Sequence, residues 1–309
     1  MEYLIFTLAM GGLIYGANLI IGQSERIALR FGVSHFVIGA TLIALGTSLP
    51  EMATSISASL QNRGEMAVAN VLGSTTFNVG LVLGLIFFIG GNVGPTRDIF
   101  KRDSPWMLFP FILFLIMAYD GAIGVADGII FLVLMGAYVV FLGKEELCAA
   151  SEEVCASFFR WKISLFWLFL GFSLVMGGAH FTIQSATQIA HGLGVTPWVI
   201  SLLLIAFGTS LPELIVSLVA AKKGHGDMIV GNIVGSNFAN FTVVLGSAAL
   251  FGPLHVNIGL YGFDILCAGA ATVMLVFLTA SRLYTRPAGV ALLALFALML
   301  INTLGHFFP

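Results

Sequence analysis

Charge is what this chain most lacks. Asp, Glu, Lys and Arg make up 9% of its 309 residues, where a soluble domain carries roughly 25%. That scarcity excludes a water-soluble single-core enzyme, and 59% hydrophobic residues exclude a disordered chain. A basic surplus is lacking too: 13 Lys plus Arg stand against 15 Asp plus Glu. No surface is left to hold nucleic acid by its phosphates. Cysteine is limited to Cys148, Cys155 and Cys267, at spacings that suit neither a metal centre nor a redox motif. If 148–155 is helical, its ends lie about 10 Å apart, too far for a disulfide, so free thiols in a reducing compartment are expected. Met1-Glu2 opens no basic n-region, and no small-residue cleavage site stands out, so the first apolar run is expected to remain as a helix.

What is there is apolar length and glycine. Mean hydropathy is +1.03. Glycine numbers 36 residues, well above the usual ~7%, as suits transmembrane helices whose backbones approach closely. Ten segments can cross a bilayer as helices of about 20 residues: 3–22, 36–60, 66–90, 105–119, 126–142, 163–183, 197–221, 228–251, 262–280 and 287–306. The basic residues then set the orientation. Arg26 and Arg30, then Arg97, Lys101 and Arg102, then Lys144, Arg160 and Lys162, then Lys222 and Lys223, then Arg282 and Arg286 fall in alternate loops on one side. Only Arg63 falls opposite. The positive-inside rule makes the basic side cytoplasmic, so both termini are expected outside an inner (plasma) membrane. The loop near 143–162 is the one composition shift, and it reads as a solvated linker between a first half, 1–142, and a second, 163–309.

The halves repeat. At an offset of 162 residues, Ala44-Leu-Gly-Thr-Ser-Leu-Pro-Glu51 falls on Ala206-Phe-Gly-Thr-Ser-Leu-Pro-Glu213. The same offset pairs Asn70 with Asn232, Gly73 with Gly235, Ser74 with Ser236, Asn78 with Asn240 and Gly84 with Gly246. Five spans per half is an odd number, so the halves enter the membrane from opposite sides. The fold class expected is therefore all-α and polytopic, ten transmembrane helices in a 5+5 inverted-topology repeat. In transporters of that design, sites lie near the midplane between the repeats.

The repeated motif carries the chemistry. Glu51 and Glu213 stand within apolar spans, where a charge costs at least ~2.5–3.5 kcal/mol and usually faces a cavity. No basic residue at like depth can pair with either. Pro50 and Pro212 each remove a helix hydrogen bond and free carbonyls about four residues back. Thr47, Ser48 and Glu51 share a helix face, as do Thr209, Ser210 and Glu213. Ser74 with Asn78 and Ser236 with Asn240 add further oxygens at i,i+4. All these donors are oxygen, which suits hard cations such as Ca²⁺ and Na⁺ rather than Zn²⁺ or copper. Two carboxylates about 5 Å apart repel by roughly 3 kcal/mol at an effective dielectric near 20. One Ca²⁺, two Na⁺ or protons relieve that, and a site so unfavourable when empty is expected to exchange ions rather than cross the membrane bare. An intramembrane protease has no support: no His-Glu-x-x-His exists, and nothing in the sequence sets His180 beside a motif serine.

At these residues the chain resembles the cation/calcium exchanger superfamily, and within it the prokaryotic sodium/calcium exchangers. The two Gly-Thr-Ser-Leu-Pro-Glu and two Gly-Ser-x-x-x-Asn segments resemble that family's α-repeats, and the likeness spans essentially the whole chain. It implies a ten-helix fold and a Ca²⁺ site between Glu51 and Glu213, aided by backbone oxygens at Thr47 and Thr209. It implies Na⁺ sites at Ser48, Ser74, Ser210 and Ser236 with carbonyls at Ala44 and Ala206, and places Asn78 and Asn240 at the central polar positions. It further implies exchange of three Na⁺ for one Ca²⁺ by alternating access, with helices one and six sliding on the core. Ca²⁺ and Na⁺ are then substrates; no cofactor and no obligatory protein partner beyond the lipid bilayer are expected. Many of these exchangers carry Asp where this chain has Asn240. Asn is nearly isosteric with a protonated Asp, so Na⁺/Ca²⁺ exchange is expected to persist and K⁺ co-transport is disfavoured. A proton/calcium antiporter stays open beside it.

Overall fold

A computed structural model describes residues 1–90, 94–96, 98–149, 161–194 and 208–305. It is almost wholly helical. Two long helices, α1 (Glu2–Phe31) and α9 (Trp161–Gly192), run 30 and 32 residues. At 1.5 Å per residue each is about 45 Å or more in length, well beyond one hydrocarbon core. They cross where side chains vanish: a Cβ on Gly16 would lie 2.7 Å from the Gly171 carbonyl oxygen, and one on Gly178 would lie 2.9 Å from that of Ala9. α1 carries Arg26 and Arg30, expected in a loop, inside its last turns. It ends only at Gly32, whose φ of 65° lets its amide reach back to the Ala28 carbonyl. Hydropathy marks where the bilayer ends; the helix ends where the backbone can turn.

Between these helices and the core lie a broken helix in the first half and, in the second, a helix that starts at the matching position. In the first half, α2 (His35–Ile38), a π-helical turn (Gly39–Ile43) and α3 (Ala44–Thr47) lead to a break at Ser48, and α4 (Leu49–Leu60) follows at a 44° bend. Pro50 occupies the first turn of α4, where its missing N–H costs nothing, and it prevents the preceding turn from continuing. In the second half, α10 (Leu211–Lys222) starts with Pro212 after Ser210. Ser48 and Ser210 adopt nearly the same backbone angles, φ −82°, ψ 6° and φ −92°, ψ 8°. α4 and α10 begin and end 162 residues apart.

The centre is made by α5 (Gly64–Thr76), a π-helical segment (Phe77–Leu83) and α6 (Gly84–Gly90), and by their counterparts α11 (Gly226–Ala239), Asn240–Val244 and α12 (Leu245–Ala249). The apolar stretch of Gly226–Ala249 is 89% buried and that of Gly64–Gly90 is 72%, against 28% for α1 and α9. The central helices are thus the core and the long helices face lipid. α11 lies directly on α2 and its π turn: a Cβ on Gly39 would sit 2.6 Å from the Met228 carbonyl oxygen, and Cβ atoms on Gly231 and Gly235 would overlap the Phe36 and Ala40 carbonyls. The remaining helices, α7 (Ile99–Met117), α8 (Val125–Ala149), α13 (Ile258–Ser281) and α14 (Arg286–Gly305), pack around this centre. A two-residue antiparallel pair, β1 (Ala122–Ile123) with β2 (Leu254–His255), ties the halves at one end.

Among the described residues seven helices are long and apolar enough to cross a membrane, and the bent pair His35–Thr47 and Leu49–Leu60 forms an eighth candidate. The protein is therefore a multi-pass membrane protein. The expected span 105–119 corresponds to α7, which begins earlier and carries Lys101, Arg102 and Asp103 near its start. Of the expected span 197–221, residues 197–207 lie outside the described residues, as do 150–160 of the linker.

Candidate cation site

The starts of α4 and α10 carry the two motif carboxylates. Glu51 and Glu213 stand in the first turns of α4 and α10, where the helix dipole favours negative charge, and each is 1% exposed. Their hydroxyl partners cross between the halves. Ser48 Oγ donates to Glu213 Oε1 at 3.3 Å. Ser210 Oγ donates to Glu51 Oε1 at 3.1 Å and lies 3.1 Å from Ser74 Oγ. The arrangement is reciprocal, as in an isologous interface.

A second pair of bonds repeats at the same offset within each half. Asn70 Nδ2 donates to Ser55 Oγ at 3.0 Å, and Asn232 Nδ2 to Ser217 Oγ at 3.1 Å. These lock each glutamate-bearing helix to the central helix behind it; Asn70 also donates to the Glu51 carbonyl at 3.3 Å. One bond is not repeated: Thr209 Oγ1 donates across to Asn70 Oδ1 at 3.4 Å, whereas the matching Asn232 Oδ1 has no partner among the described residues. Thr47 Oγ1 donates to the Ala44 carbonyl at 3.3 Å. Thr47 is buried, whereas Thr209 lines a cavity of about 460 Å³ with Pro50, Thr54, His180, Gln184, Gly208 and Pro212. The second motif borders open space on the α9 side.

Several buried oxygens have no hydrogen-bond partner among the described residues: Glu51 Oε2, Glu213 Oε2, Asn78 Oδ1, Ser236 Oγ, Asn232 Oδ1 and Asn240 Oδ1. An unsatisfied buried polar group costs about 1–3 kcal/mol, more when charged. No lysine or arginine is buried among the described residues, so no basic side chain among them neutralises the carboxylates. Among the described residues no cluster of three or more His, Cys, Asp or Glu could hold a metal; the donors here are two carboxylates with neutral hydroxyl and amide oxygens, a set for hard cations.

The structure brings together, of the residues marked in the sequence, Ser48, Ser74, Ser210, Glu51 and Glu213 through direct bonds. Ser236, Asn78 and Asn240 lie buried on the central helices, with unpartnered oxygens. Ala44 accepts from Thr47. Ala206 lies outside the described residues. Sequence reasoning did not assign roles to Ser55, Ser217, Asn70, Asn232 or Asn237. The first four were visible as matched pairs at the 162-residue offset; Asn237 falls on Thr75 and left no such trace.

Helices that start at matching prolines around a buried, all-oxygen centre with two carboxyl groups define a membrane cation transporter. The profile of the family described as sodium/calcium exchanger protein matches residues 1–144 and 163–305. The chain belongs to that family. It is 38% identical over 246 residues, 80% of either chain, to an uncharacterised membrane protein of Methanocaldococcus jannaschii. It is 31% identical to the sodium/calcium exchanger MaX1 of Methanosarcina acetivorans, covering 97% of both. The solved structure of the sodium-calcium exchanger NCX_Mj soaked with 10 mM Na⁺ and zero Ca²⁺ superposes with a TM-score of 0.82 at 33% identity, over 96% of this chain and 97% of that one.

Proposed function

We propose that this chain exchanges three Na⁺ for one Ca²⁺ by alternating access, through ten spans arranged as two inverted five-helix halves. The halves are 1–142 and 163–309, joined by the segment 143–162. The carrying observation is the reciprocal Ser48–Glu213 and Ser210–Glu51 pairing around buried oxygens that have no partner among the described residues. Glu51 and Glu213 hold Ca²⁺ with backbone oxygens of Thr47 and Thr209. Ser48, Ser74, Ser210 and Ser236, with carbonyls of Ala44 and Ala206, take Na⁺, and Asn78 and Asn240 complete the centre. The ions are substrates; the reading requires no cofactor and no obligatory protein partner. Three Na⁺ for one Ca²⁺ moves one net charge, about 2.3 kcal/mol per 100 mV, so transport is voltage-sensitive. The basic side of the membrane is cytoplasmic and both termini are external. Support also comes from MaX1, named a sodium/calcium exchanger, and from NCX_Mj, whose structures were obtained in Na⁺, Ca²⁺ and Sr²⁺.

The test is Ca²⁺ uptake into proteoliposomes preloaded with Na⁺, against K⁺ or choline controls, repeated with an imposed pH gradient. Uptake driven by the outward Na⁺ gradient and enhanced by an inside-positive potential is expected. Uptake driven only by the proton gradient would overturn the reading and assign the chain to H⁺/Ca²⁺ antiport.

A further inference from the structure

Asn78 is the second residue of the π-helical segment Phe77–Leu83 and is 1% exposed. Its Nδ2 donates to Asn237 Oδ1 at 3.2 Å, while its own Oδ1 has no partner among the described residues. A side-chain amide is planar, with the oxygen and nitrogen on opposite edges. Whatever holds the nitrogen therefore decides where the oxygen points. Asn237 belongs to the opposite half, on α11, and is 9% exposed. It lines a cavity of about 10 Å³ with Pro110, Phe238 and Thr272, room for about one water. Thr272 Oγ1 spends its proton on the Ala268 carbonyl at 2.8 Å, so its hydroxyl offers that cavity only acceptor lone pairs. The Asn237 Nδ2, otherwise unpartnered, suits that side. Its Oδ1 is then left for Asn78.

The geometry points to Asn237 as a positioning residue for cation exchange: by accepting the Asn78 N–H it holds the Asn78 amide oxygen, rather than its NH₂, towards the cations. The alternative amide orientation would present two N–H bonds to a positive ion, which repel it. The device exists in one half only, because position 75, its counterpart, is Thr. The proposal rests on the reading of Asn78 as a cation ligand.

The experiment compares wild type, Asn237→Leu, Asn237→Asp, Asn78→Leu and the double variant Asn78→Leu/Asn237→Leu. Two quantities are read for each: half-saturating cation in proteoliposome uptake, and the Ca²⁺-dependent rise in melting temperature of the purified protein. Asn237→Leu is expected to raise half-saturation by about five- to tenfold, the weight of one buried hydrogen bond, with the maximal rate nearly unchanged. Asn237→Asp, whose oxygens still accept, is expected to return to within about twofold of wild type. In the Asn78→Leu background, Asn237→Leu is expected to add less than about twofold, since the two act as a unit. Wild-type affinity in Asn237→Leu, an equal effect with and without Asn78, or no recovery in Asn237→Asp would overturn the proposal. Should the leucine variant not fold, Asn237→Ala takes its place. Absence of Na⁺-driven uptake in wild type refutes the exchange reading instead, and the melting measurement then decides the role of Asn237 alone.

Discussion

Replacing Glu51 by Gln removes a charge while nearly keeping a shape. Ser210 Oγ donates to Glu51 Oε1 at 3.1 Å, and a glutamine oxygen can accept the same bond, so the junction between the halves survives. The electrostatics do not. At about 4 Å and an effective dielectric near 20, two unit charges attract by about 4 kcal/mol, hence about 8 for a divalent ion and one carboxylate. The repulsion between two carboxylates about 5 Å apart, roughly 3 kcal/mol by the same rule, also disappears, and this stabilises the ion-free protein. That repulsion is present with and without the ion, so the lost attraction alone lowers Ca²⁺ affinity. If desolvation and relaxation leave only about 3 kcal/mol of that attraction, affinity still falls more than a hundredfold. The assay is melting of the purified protein with and without Ca²⁺, alongside uptake in proteoliposomes. At Ca²⁺ a hundred times its dissociation constant, wild type should gain about 2.7 kcal/mol. Glu51→Gln should gain nothing, melt no lower than ion-free wild type, and transport no Ca²⁺; Glu213→Gln should match it through the reciprocal Ser48 bond. Half-saturation within tenfold of wild type, or a variant that unfolds without Ca²⁺, would refute the reasoning.

Gly235→Ala should destabilise the protein by about 1–3 kcal/mol as the added methyl forces α11 off the Ala40 carbonyl; an unchanged melting temperature would show that this contact yields. His225 precedes α11 outside the spans, its ring 5.1 Å from that of His35 and its Nε2 3.9 Å from Glu25. Burial, with help from His35 and Lys223 and against Glu25, holds it below its ordinary value of 6.5. The unfolded chain therefore binds the proton more readily, and stability should fall as pH drops from about 6.5 through the lower folded value. His225→Gln should flatten the melting temperature over that interval, and an unaltered acid response would clear this histidine.

Much of the site was legible because depth makes charge conspicuous. Glu51 and Glu213 had no basic residue at like depth in the sequence, Pro50 fixed where the first helix breaks and Pro212 where α10 starts, and doubling removed chance as an explanation. Helix ends were less legible: α1 runs past Arg26 and Arg30 to Gly32, since hydropathy follows lipid rather than backbone hydrogen bonding. Identical motifs also hid unequal environments. Thr47 and Thr209 read alike in sequence, yet one is sealed and the other borders a cavity. Burial of that kind depends on how α9 packs, which no local pattern encodes. Asn237 was silent because its value lies in a bond to the other half that the repeat does not reproduce.

The crossing of Ser48 to Glu213 and Ser210 to Glu51 bears on ancestry. A lone half has its carboxylate but not the serine that serves it, so it could complete a site only against a second copy of itself. In such a pair every residue must serve both places at once, and an improvement at one is imposed on the other. Joining the copies in one chain lifts that constraint. Asn237 opposite a bare Thr75 is what such freedom permits: the two-fold is retained where the charges meet and abandoned one turn away.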